Sequence, residues 1–533
     1  MKIRHIFISL LSSAMFCSCE GFLEETPKTT LTSVAVFGDD ESATSAMVGC
    51  YALLCQYDYF AQTFWEAHNM NSTEYTSAIT NGNYATQLSN FTSNSALGTY
   101  NSIYRTAYAG INAINLMLEK IEDAPVSEAV SKNIKGNGHL LRAMLYFNLV
   151  REFGGVPLVQ KSITTLEEAH SPRASKESVY EAIVNDLDEA WNNLPEPGAN
   201  QTGFPHKWAA KALLAKVYLT MTDGKEDSPY WELSYNMAKE VYDERVYQLV
   251  RPFSALWDPT KENSVESILE FQLSEMTEGR LMSVNMPQDV NLIPNVTFNS
   301  NTARIRLNPE IYDDFVSKYP GDPRFECSIL HTSINQLMNN GTTPLRYIYP
   351  SDVTSIWSVF PFCRKFIDKN SVGTKGANNF IYMRYGELLL ILAETANELG
   401  YPEALGYVNE LLDRARDADG DGNHSETEIQ PAAWESGMSK EEFRAAIMQE
   451  RRFELLGECH SWFDERRRGE EWLLECFRNH NSRTTTTKYA SKPGMYKYPE
   501  DIEQVRKLML WPIPLEEITN NMSISQEDQN IGW

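Results

Sequence analysis

The most specific chemical pattern in the sequence is the acidic stretch at residues 417–428. It fits the calcium-loop spacing D-x-[DN]-x-[DN]-G-x5-E at every specified position. Calcium accepts several oxygen ligands in a flexible shell, and side chains at this spacing supply them. The pattern therefore predicts one structural calcium ion. Its predicted ligands are Asp417, Asp419, Asp421, Asn423, Ser425 and Glu428.

Three features depart from a typical calcium loop and leave an alternative open. His424 stands where such loops usually carry an aliphatic anchor, and Pro431 prevents an exiting helix from starting at once. The sequence also contains no second loop of this kind to pair with the first. The alternative is a solvated acidic turn that follows a helix ending at Arg416.

Two aromatic-rich stretches, residues 57–75 and 347–362, are candidates for a sugar-binding surface. A sugar ring presents an apolar C–H face, which a flat aromatic covers, and a fringe of hydroxyl groups, which amides satisfy. Each of these aromatic residues has an alternative role as a core residue that anchors its loop. The candidate glycan contacts are Trp65, Asn69, Tyr75 and Trp357.

Motifs typical of enzymes are absent from the sequence. It contains no G-x-S-x-G, H-E-x-x-H, G-x-x-x-x-G-K-[ST] or G-x-G-x-x-G. A glycosidase pair of carboxylates is defined by its separation in space, which a sequence does not give. A glycosidase therefore stays an open alternative, while the absent motifs lead us to predict no catalytic residues and no organic cofactor.

A cluster of arginines alternates with carboxylates between Glu450 and Gly469. Mixed charges at helical spacing are typical of ion pairs on a helix surface, and we prefer this interpretation to an anion-binding site. The arginines are Arg451, Arg452, Arg466, Arg467 and Arg468.

Composition excludes several partners and frameworks. The formal net charge of −25 over 533 residues argues against a nucleic-acid backbone or an anionic lipid surface as a partner.

Beyond Cys17 and Cys19 there are six cysteines without a Cys-x-x-Cys pattern, so neither a disulfide framework nor a zinc ribbon is indicated. Cys50 and Cys55 are close enough in sequence to pair, although buried free thiols are an equal alternative.

The first 18 residues have the pattern of a lipoprotein signal peptide. Lys2 and Arg4 precede a short apolar run, which is too short to span a bilayer as a stop-transfer helix. A small residue stands before Cys19, as in a bacterial lipobox, so Cys19 is predicted to carry the lipid. The alternative is a plain secretory peptide with an incidental cysteine. Residues 19–36 then form an extended tether, and the protein is anchored to the membrane rather than spanning it.

The elements that position these residues are predicted to be mainly helices. Residues 139–150 are apolar on nearly every face, which is typical of a buried central helix, and Gly154, Gly155 and Pro157 end it. Closely spaced alanines at 209–215 let a neighbouring helix approach, in a pattern similar to a tetratricopeptide repeat. Ordinary packing of two helices, without a repeat motif, explains that pattern nearly as well. Residues 264–272 are predicted to contain a strand.

Several segments, in this order, resemble the SusD/RagB family of nutrient-binding outer-membrane lipoproteins from Bacteroidetes. The most distinctive is HLLRAMLYFNLVREFGGVPLV at 139–159. The others are CEGFLEETPK at 19–28, KWAAKALLAKVY at 207–218, RYGELLLILAE at 384–394, ERRFELLGE at 450–458 with WFD at 462–464, and the C-terminal segment from WPIP at 511–514 to NIGW at 530–533.

The resemblance implies an expected fold for the whole chain. The fold is mainly α, a tetratricopeptide-like helical-repeat scaffold with long loop-rich insertions and a few short strands. Residues 37–533 form a single SusD-like domain. Its helical scaffold covers about 37–250 and 380–477, and its loop-rich insertions cover about 56–100 and 252–379.

The resemblance also implies a function. The chain would be a cell-surface lipoprotein that captures oligosaccharides or polysaccharides and delivers them to a SusC-like TonB-dependent transporter, without catalysis. The acidic residues that follow Cys19 resemble the surface-export signal of Bacteroidetes lipoproteins, so the protein is expected on the exterior of the outer membrane. Two alternatives are a helical-repeat scaffold that binds a protein or peptide and, less favoured, a glycoside hydrolase.

Overall fold

The computed structural model describes residues 36–77, 83–200, 202–274, 305–331, 349, 360–367, 378–484 and 494–533. Cys19 and Trp357, and the predicted signal peptide, lie outside these residues. Within the described part of the chain, no helix is both long enough and apolar enough to cross a bilayer.

The N-terminal half is built from helices that pack in pairs. Among these, α5 packs on α6 and α7 packs on α8, which confirms the predicted tetratricopeptide-like scaffold. The helices are α1 (Asp40–Leu54), α2 (Thr63–Met70), α3 (Tyr84–Ser89), α4 (Gly98–Ile121), α5 (Glu128–Phe153), α6 (Lys176–Asn193), α7 (Trp208–Met221) and α8 (Tyr230–Glu244).

The C-terminal half continues the pairing, since α11 packs on α12 and also on α8. Its helices are α9 (Pro309–Lys318), α10 (Pro323–Ser328), α11 (Tyr385–Leu399), α12 (Ala404–Arg416), α13 (Lys440–Glu454), α14 (Ser461–Arg467), α15 (Glu470–Thr484), α16 (Ile502–Leu508) and α17 (Leu515–Asn520). Two 3-10 turns lie at Phe253–Trp257 and Gln526–Asp528.

The strands are short and form two-stranded antiparallel sheets that join distant parts of the chain. They pair as β1 with β3, β2 with β6, and β4 with β5. The strands are β1 (Tyr75–Ser77), β2 (Ser267–Phe271), β3 (Ile305–Leu307), β4 (Ile329–Leu330), β5 (Phe362–Cys363) and β6 (Phe380–Arg384). The strand predicted within residues 264–272 is confirmed as β2.

The central helix α5 has the burial that its sequence predicts. Every residue from 140 to 153 is buried. Ser127 caps the N-terminus by accepting a hydrogen bond from the Val130 N–H, and Gly154 ends the helix with a positive φ of 73°. A Cβ at Gly136 would lie 2.6 Å from the backbone nitrogen of Leu194, so only glycine permits this approach to the end of α6.

Residues 56–100 differ from the predicted loop-rich surface insertion. This segment contains α2, β1 and α3, and every residue from 59 to 77 is buried. Its many aromatic rings pack on one another, as when Phe60 stacks on Phe380 with ring centroids 4.6 Å apart. The high aromatic content of this segment therefore builds core rather than a binding surface.

A buried network of ion pairs joins the second half of the scaffold. Glu454 on α13 accepts hydrogen bonds from Arg324, Arg384 and Arg414, which lie on α10, β6 and α12. Because every one of these side chains is at most 1% exposed, each charge depends on the others for compensation. The network fixes α13 and thereby positions the residues at its other face.

Candidate functional site

The structure places three of the predicted glycan contacts in the core. Trp65, Asn69 and Tyr75 are each at most 2% exposed. The indole N–H of Trp65 donates to the carbonyl of Gly457 at 2.7 Å, and the Asn69 amide donates to the carbonyl of Trp65 at 2.9 Å. A side chain that is enclosed in the core offers no surface for a sugar. The glycan-contact prediction for these three residues is therefore wrong.

A different concave site lies between α13, α14 and α15. It is a cavity of about 390 Å³. Residues of α9 and Thr73, which precedes β1, complete its wall. Its lining residues are Thr73, Glu310, Asp314, Ala445, Met448, Gln449, Arg452, Ser461, Asp464, Glu465, Trp472, Cys476, Asn479, His480 and Arg483. We call it the C-terminal cavity.

The walls of the C-terminal cavity are largely apolar. Ala445 and Met448 come from α13, and half-buried Trp472 and Cys476 come from α15. Trp472 is placed at the start of α15, where Arg468 lies 5.6 Å from the centre of its ring. Apolar walls with a few convergent polar groups are typical of small-molecule sites.

Arg452 is the principal cation of the cavity. Its Nε lies 3.6 Å from Glu74 Oε1, and its Nη1 lies 3.9 Å from Asp314 Oδ2, distances too long for hydrogen bonds. The side chain is 28% exposed, whereas Glu74 is fully buried. Because Arg452 makes no hydrogen bond with any residue that the structure describes, its terminal donors remain available to a bound molecule.

Glu465 and Glu74 are buried carboxyls beside this arginine. Burial raises the pKa of Glu465 to about 8 and the pKa of Glu74 to about 7. Glu465 Oε1 accepts a hydrogen bond of 2.5 Å from the Thr73 hydroxyl, and the Thr73 N–H also points at this carboxyl. Thr73 and Glu465 thus tie the segment before β1 to α14.

The other charged groups of the cavity form pairs. Glu310 contacts the Nδ1 of His480, and Asp314 lies 2.6 Å from Arg483. Asp464 is buried, which opposes ionisation, yet Arg451 and Arg467 lower the pKa of its carboxyl to about 2. The lining holds four carboxyl groups, of which Glu465 is held neutral by its raised pKa, and two guanidinium groups, so its electrostatic balance is acidic.

The sequence carries one local signal for this cavity. Trp472, Cys476, Asn479, His480 and Arg483 follow the spacing i, i+4, i+7, i+8 and i+11, which places them on one face of a helix. What the sequence does not give is that this face lies opposite α13 and leaves a space between the two helices.

The predicted calcium loop follows α12, and part of it converges. Carboxylate oxygens of Asp417, Asp419 and Asp421 all lie within 4.8 Å of one another. Asp417 is buried, and its Oδ2 is 2.6 Å from Nη1 of Arg251. That arginine offsets part of the negative charge that would attract a cation.

The remaining predicted calcium ligands are held by the loop backbone. Glu428 accepts hydrogen bonds from the N–H groups of Ala418 and Ser425, at 2.7 and 2.8 Å, and these bonds lower its pKa to about 2. The Asn423 N–H donates to Asp421 Oδ1 at 2.7 Å. The loop is therefore closed by its own backbone, and Glu428 must exchange backbone contacts to bind an ion.

The arginine cluster forms the ion pairs that its spacing predicts, but these are buried. Arg467 contacts Glu394 and Asp464, and Arg468 contacts Glu394 and Glu398, with both guanidinium groups only 4% exposed. The surface location was wrong because these helices pack on α11, whose carboxylates are also buried.

The described cysteines are free thiols. Cys50 and Cys55 are both buried without forming a disulfide, which decides between the two alternatives left open by their spacing. Burial raises the pKa of Cys50 to about 11 and that of Cys55 to about 12. Both thiols behave as small apolar core residues.

Two family models together match most of the chain. The model described as "SusD family" matches residues 242–533, and the model described as "Starch-binding associating with outer membrane" matches residues 21–219. Among curated proteins, SusD-like protein P25 of Formosa agariphila is 24% identical over 569 aligned positions, which cover 98% of this chain and 99% of that protein. A SusD-like protein of Bacteroides ovatus is 25% identical over 51% of this chain and 50% of its own length.

Solved structures share the fold over nearly the whole length. A SusD homolog from Bacteroides thetaiotaomicron aligns with a TM-score of 0.78 at 20% identity, covering 95% of this chain and 99% of that chain. A structure described as a laminarin-binding SusD-like protein aligns with a TM-score of 0.69 at 23% identity, covering 92% and 99%. Because one model alone matches more than half of the residues, and the fold agrees over 95% of the chain, this chain belongs to the SusD family.

Proposed function

We propose that this protein is a cell-surface lipoprotein that captures oligosaccharides and delivers them to a SusC-like TonB-dependent transporter, without catalysis. The match to the SusD family model over residues 242–533 carries this proposal. The second family model, whose description names starch binding, and the similarity to a laminarin-binding structure support a glycan as the ligand.

Membrane attachment is proposed to depend on Cys19. A lipid on this residue would hold the domain at the outer membrane through the tether of residues 19–36. In the expressing bacterium, Cys19→Ser should move the protein from the membrane fraction to the soluble fraction, while Cys17→Ser should leave it in the membrane. Retention of the Cys19→Ser variant in the membrane would contradict lipid anchoring at this position.

Calcium binding at residues 417–428 is proposed as a structural role. Asp417, Asp419 and Asp421 already bring oxygens together, and all of them are hard ligands that suit calcium. The ion would replace the backbone contacts that now hold Glu428 and would pin the segment after α12.

The absence of catalysis must be tested directly because one carboxyl has an unusual pKa. A buried glutamic acid whose pKa is raised, as in Glu465, is also what a general acid of a glycosidase requires. Here the Thr73 hydroxyl and N–H hold that carboxyl, which gives it a structural role between two elements.

The proposal is tested by binding of residues 20–533 to a broad panel of soluble polysaccharides in affinity gels, with and without a calcium chelator. Retardation by one glycan class, with no new reducing ends in the recovered glycan, is expected. Release of shorter products would contradict the non-catalytic role. Migration unaffected by every glycan would contradict glycan capture and favour a protein or peptide ligand.

A further inference from the structure

We infer that the C-terminal cavity is a binding site for a neutral sugar, one or two rings in size, and that it discriminates against uronic acids. This inference rests on the proposed function, because it assigns part of the glycan recognition to named residues. The volume of about 390 Å³ lies in the range of ordinary small-molecule sites, and the cavity is open to solvent on one side.

The apolar wall suits one face of a sugar ring. Trp472 is half-buried, so part of the indole is fixed against the core while part of it remains accessible. Met448 and Ala445 extend this surface from α13. An aromatic side chain that is already immobilised loses little conformational entropy on binding, which makes it an effective platform for the C–H face of a sugar.

The polar groups suit the hydroxyl fringe of the same ring. Arg452 offers guanidinium donors that make no hydrogen bond within the described part of the chain. Half-buried Gln449 and exposed Asn479 lie at the rim, and each amide provides both a donor and an acceptor. A hydroxyl group is itself a donor and an acceptor, so a polyol can satisfy groups of both kinds.

The charge of the lining selects against an anionic sugar. The carboxylates of Asp314 and Asp464 would face a carboxylate that entered to reach Arg452, and Arg483 already pairs with Asp314. The net charge of −25 on the whole chain adds a long-range repulsion. A neutral ring accepts hydrogen bonds from Arg452 without these penalties.

The test is calorimetric titration of residues 20–533 with laminarin oligosaccharides, cellobiose, maltose and digalacturonic acid. The wild-type protein is expected to bind at least one neutral probe, and at least tenfold more tightly than digalacturonic acid. Trp472→Ala and Arg452→Gln should each weaken that binding at least tenfold. The matched controls, Trp191→Ala on α6 and Arg105→Gln on α4, should change it less than twofold.

A further variant blocks the cavity from its rim and keeps the test independent of core packing. Ala445 is exposed on α13, so Ala445→Arg should fold normally and obstruct the opening, whereas Ala129→Arg at an exposed site on α5 should have no effect. Thermal unfolding of every variant verifies the fold. A tenfold loss for Ala445→Arg with an unchanged melting temperature supports the site even if Arg452→Gln is unstable.

The outcomes separate this inference from the proposed function. If the wild-type protein binds a neutral glycan and the three cavity variants bind it equally well, the cavity assignment is overturned and glycan capture stands. A preference of the wild-type protein for digalacturonic acid overturns the discrimination against uronic acids. Failure of the wild-type protein to bind any glycan, in this titration and in the affinity gels, contradicts the proposed function itself.

Discussion

Nη1 of Arg384 lies 2.7 Å from Oε1 of Glu454, and both side chains are almost completely buried. The contact connects β6, which closes the second insertion, to the end of α13, which lines the C-terminal cavity. The same Oε1 also accepts from Arg414 on α12. One carboxylate thus joins three elements of the scaffold, and it shares the compensation of both buried arginines with Glu266.

Removal of that carboxylate should be strongly destabilising. We expect Glu454→Ala to lower the free energy of unfolding by about 3–5 kcal/mol, because it removes one carboxylate partner from each of three buried guanidinium groups. Glu503→Ala, which removes an exposed partner of Arg506, should lower it by less than about 1 kcal/mol. Denaturant unfolding measures both values. A loss for Glu454→Ala as small as that of the control would show that the network contributes little.

The Glu465 carboxyl should make the protein less stable as the pH rises. Its pKa rises from an ordinary value of 4.5 to about 8 on folding, so the folded state binds more protons than the unfolded state between these values. The contribution of the protonated Glu465 carboxyl to the free energy of unfolding is therefore present at low pH and is lost as the pH rises through this window. From pH 6 to pH 9 the free energy of unfolding of the wild-type protein should fall by about 2 kcal/mol more than that of Glu465→Gln, because the glutamine side chain stays neutral.

The control for this pH dependence is Glu471→Gln, an exposed position on α15. Its unfolding free energy should follow the wild-type curve between pH 6 and pH 9. Parallel curves for the wild-type protein and Glu465→Gln would show that the Glu465 carboxyl has an ordinary pKa in the folded protein.

Calcium should raise the melting temperature if the loop after α12 binds it. Saturating calcium is expected to raise it by several degrees in the wild-type protein, because a ligand that binds only the folded state stabilises it. Asp421→Asn should abolish this shift, since Asp421 is an exposed ligand whose loss spares the core. The control Asp243→Asn on α8 should retain it. An absence of any shift in the wild-type protein would favour a solvated acidic turn.

The scaffold was largely predictable because its signals are local. The apolar run of residues 139–150 has no polar face, so burial was its only stable solution, and the glycines that follow define its end. The start of α1 follows from its cap, since the Asp39 side chain accepts from the Ser42 N–H. These features depend on neighbours within one or two helical turns.

The candidate site was not predictable in the same way. Trp65 and Tyr75 have the composition of a sugar platform, but their exposure depends on contacts with residues near 457, nearly 400 positions away. Trp472 and Arg452 form a site only because α13 and α15 pack with a space between them. The sequence shows a polar face on each helix and does not show which faces meet.

The most direct test is the heat of binding when residues 20–533 are titrated with the glycan class that retards the protein in affinity gels. The same sample is then analysed by chromatography after prolonged incubation. We predict a saturable heat with the glycan recovered at its original length. No measurable heat, or the appearance of shorter products, would contradict the assignment of this protein to glycan capture without cleavage.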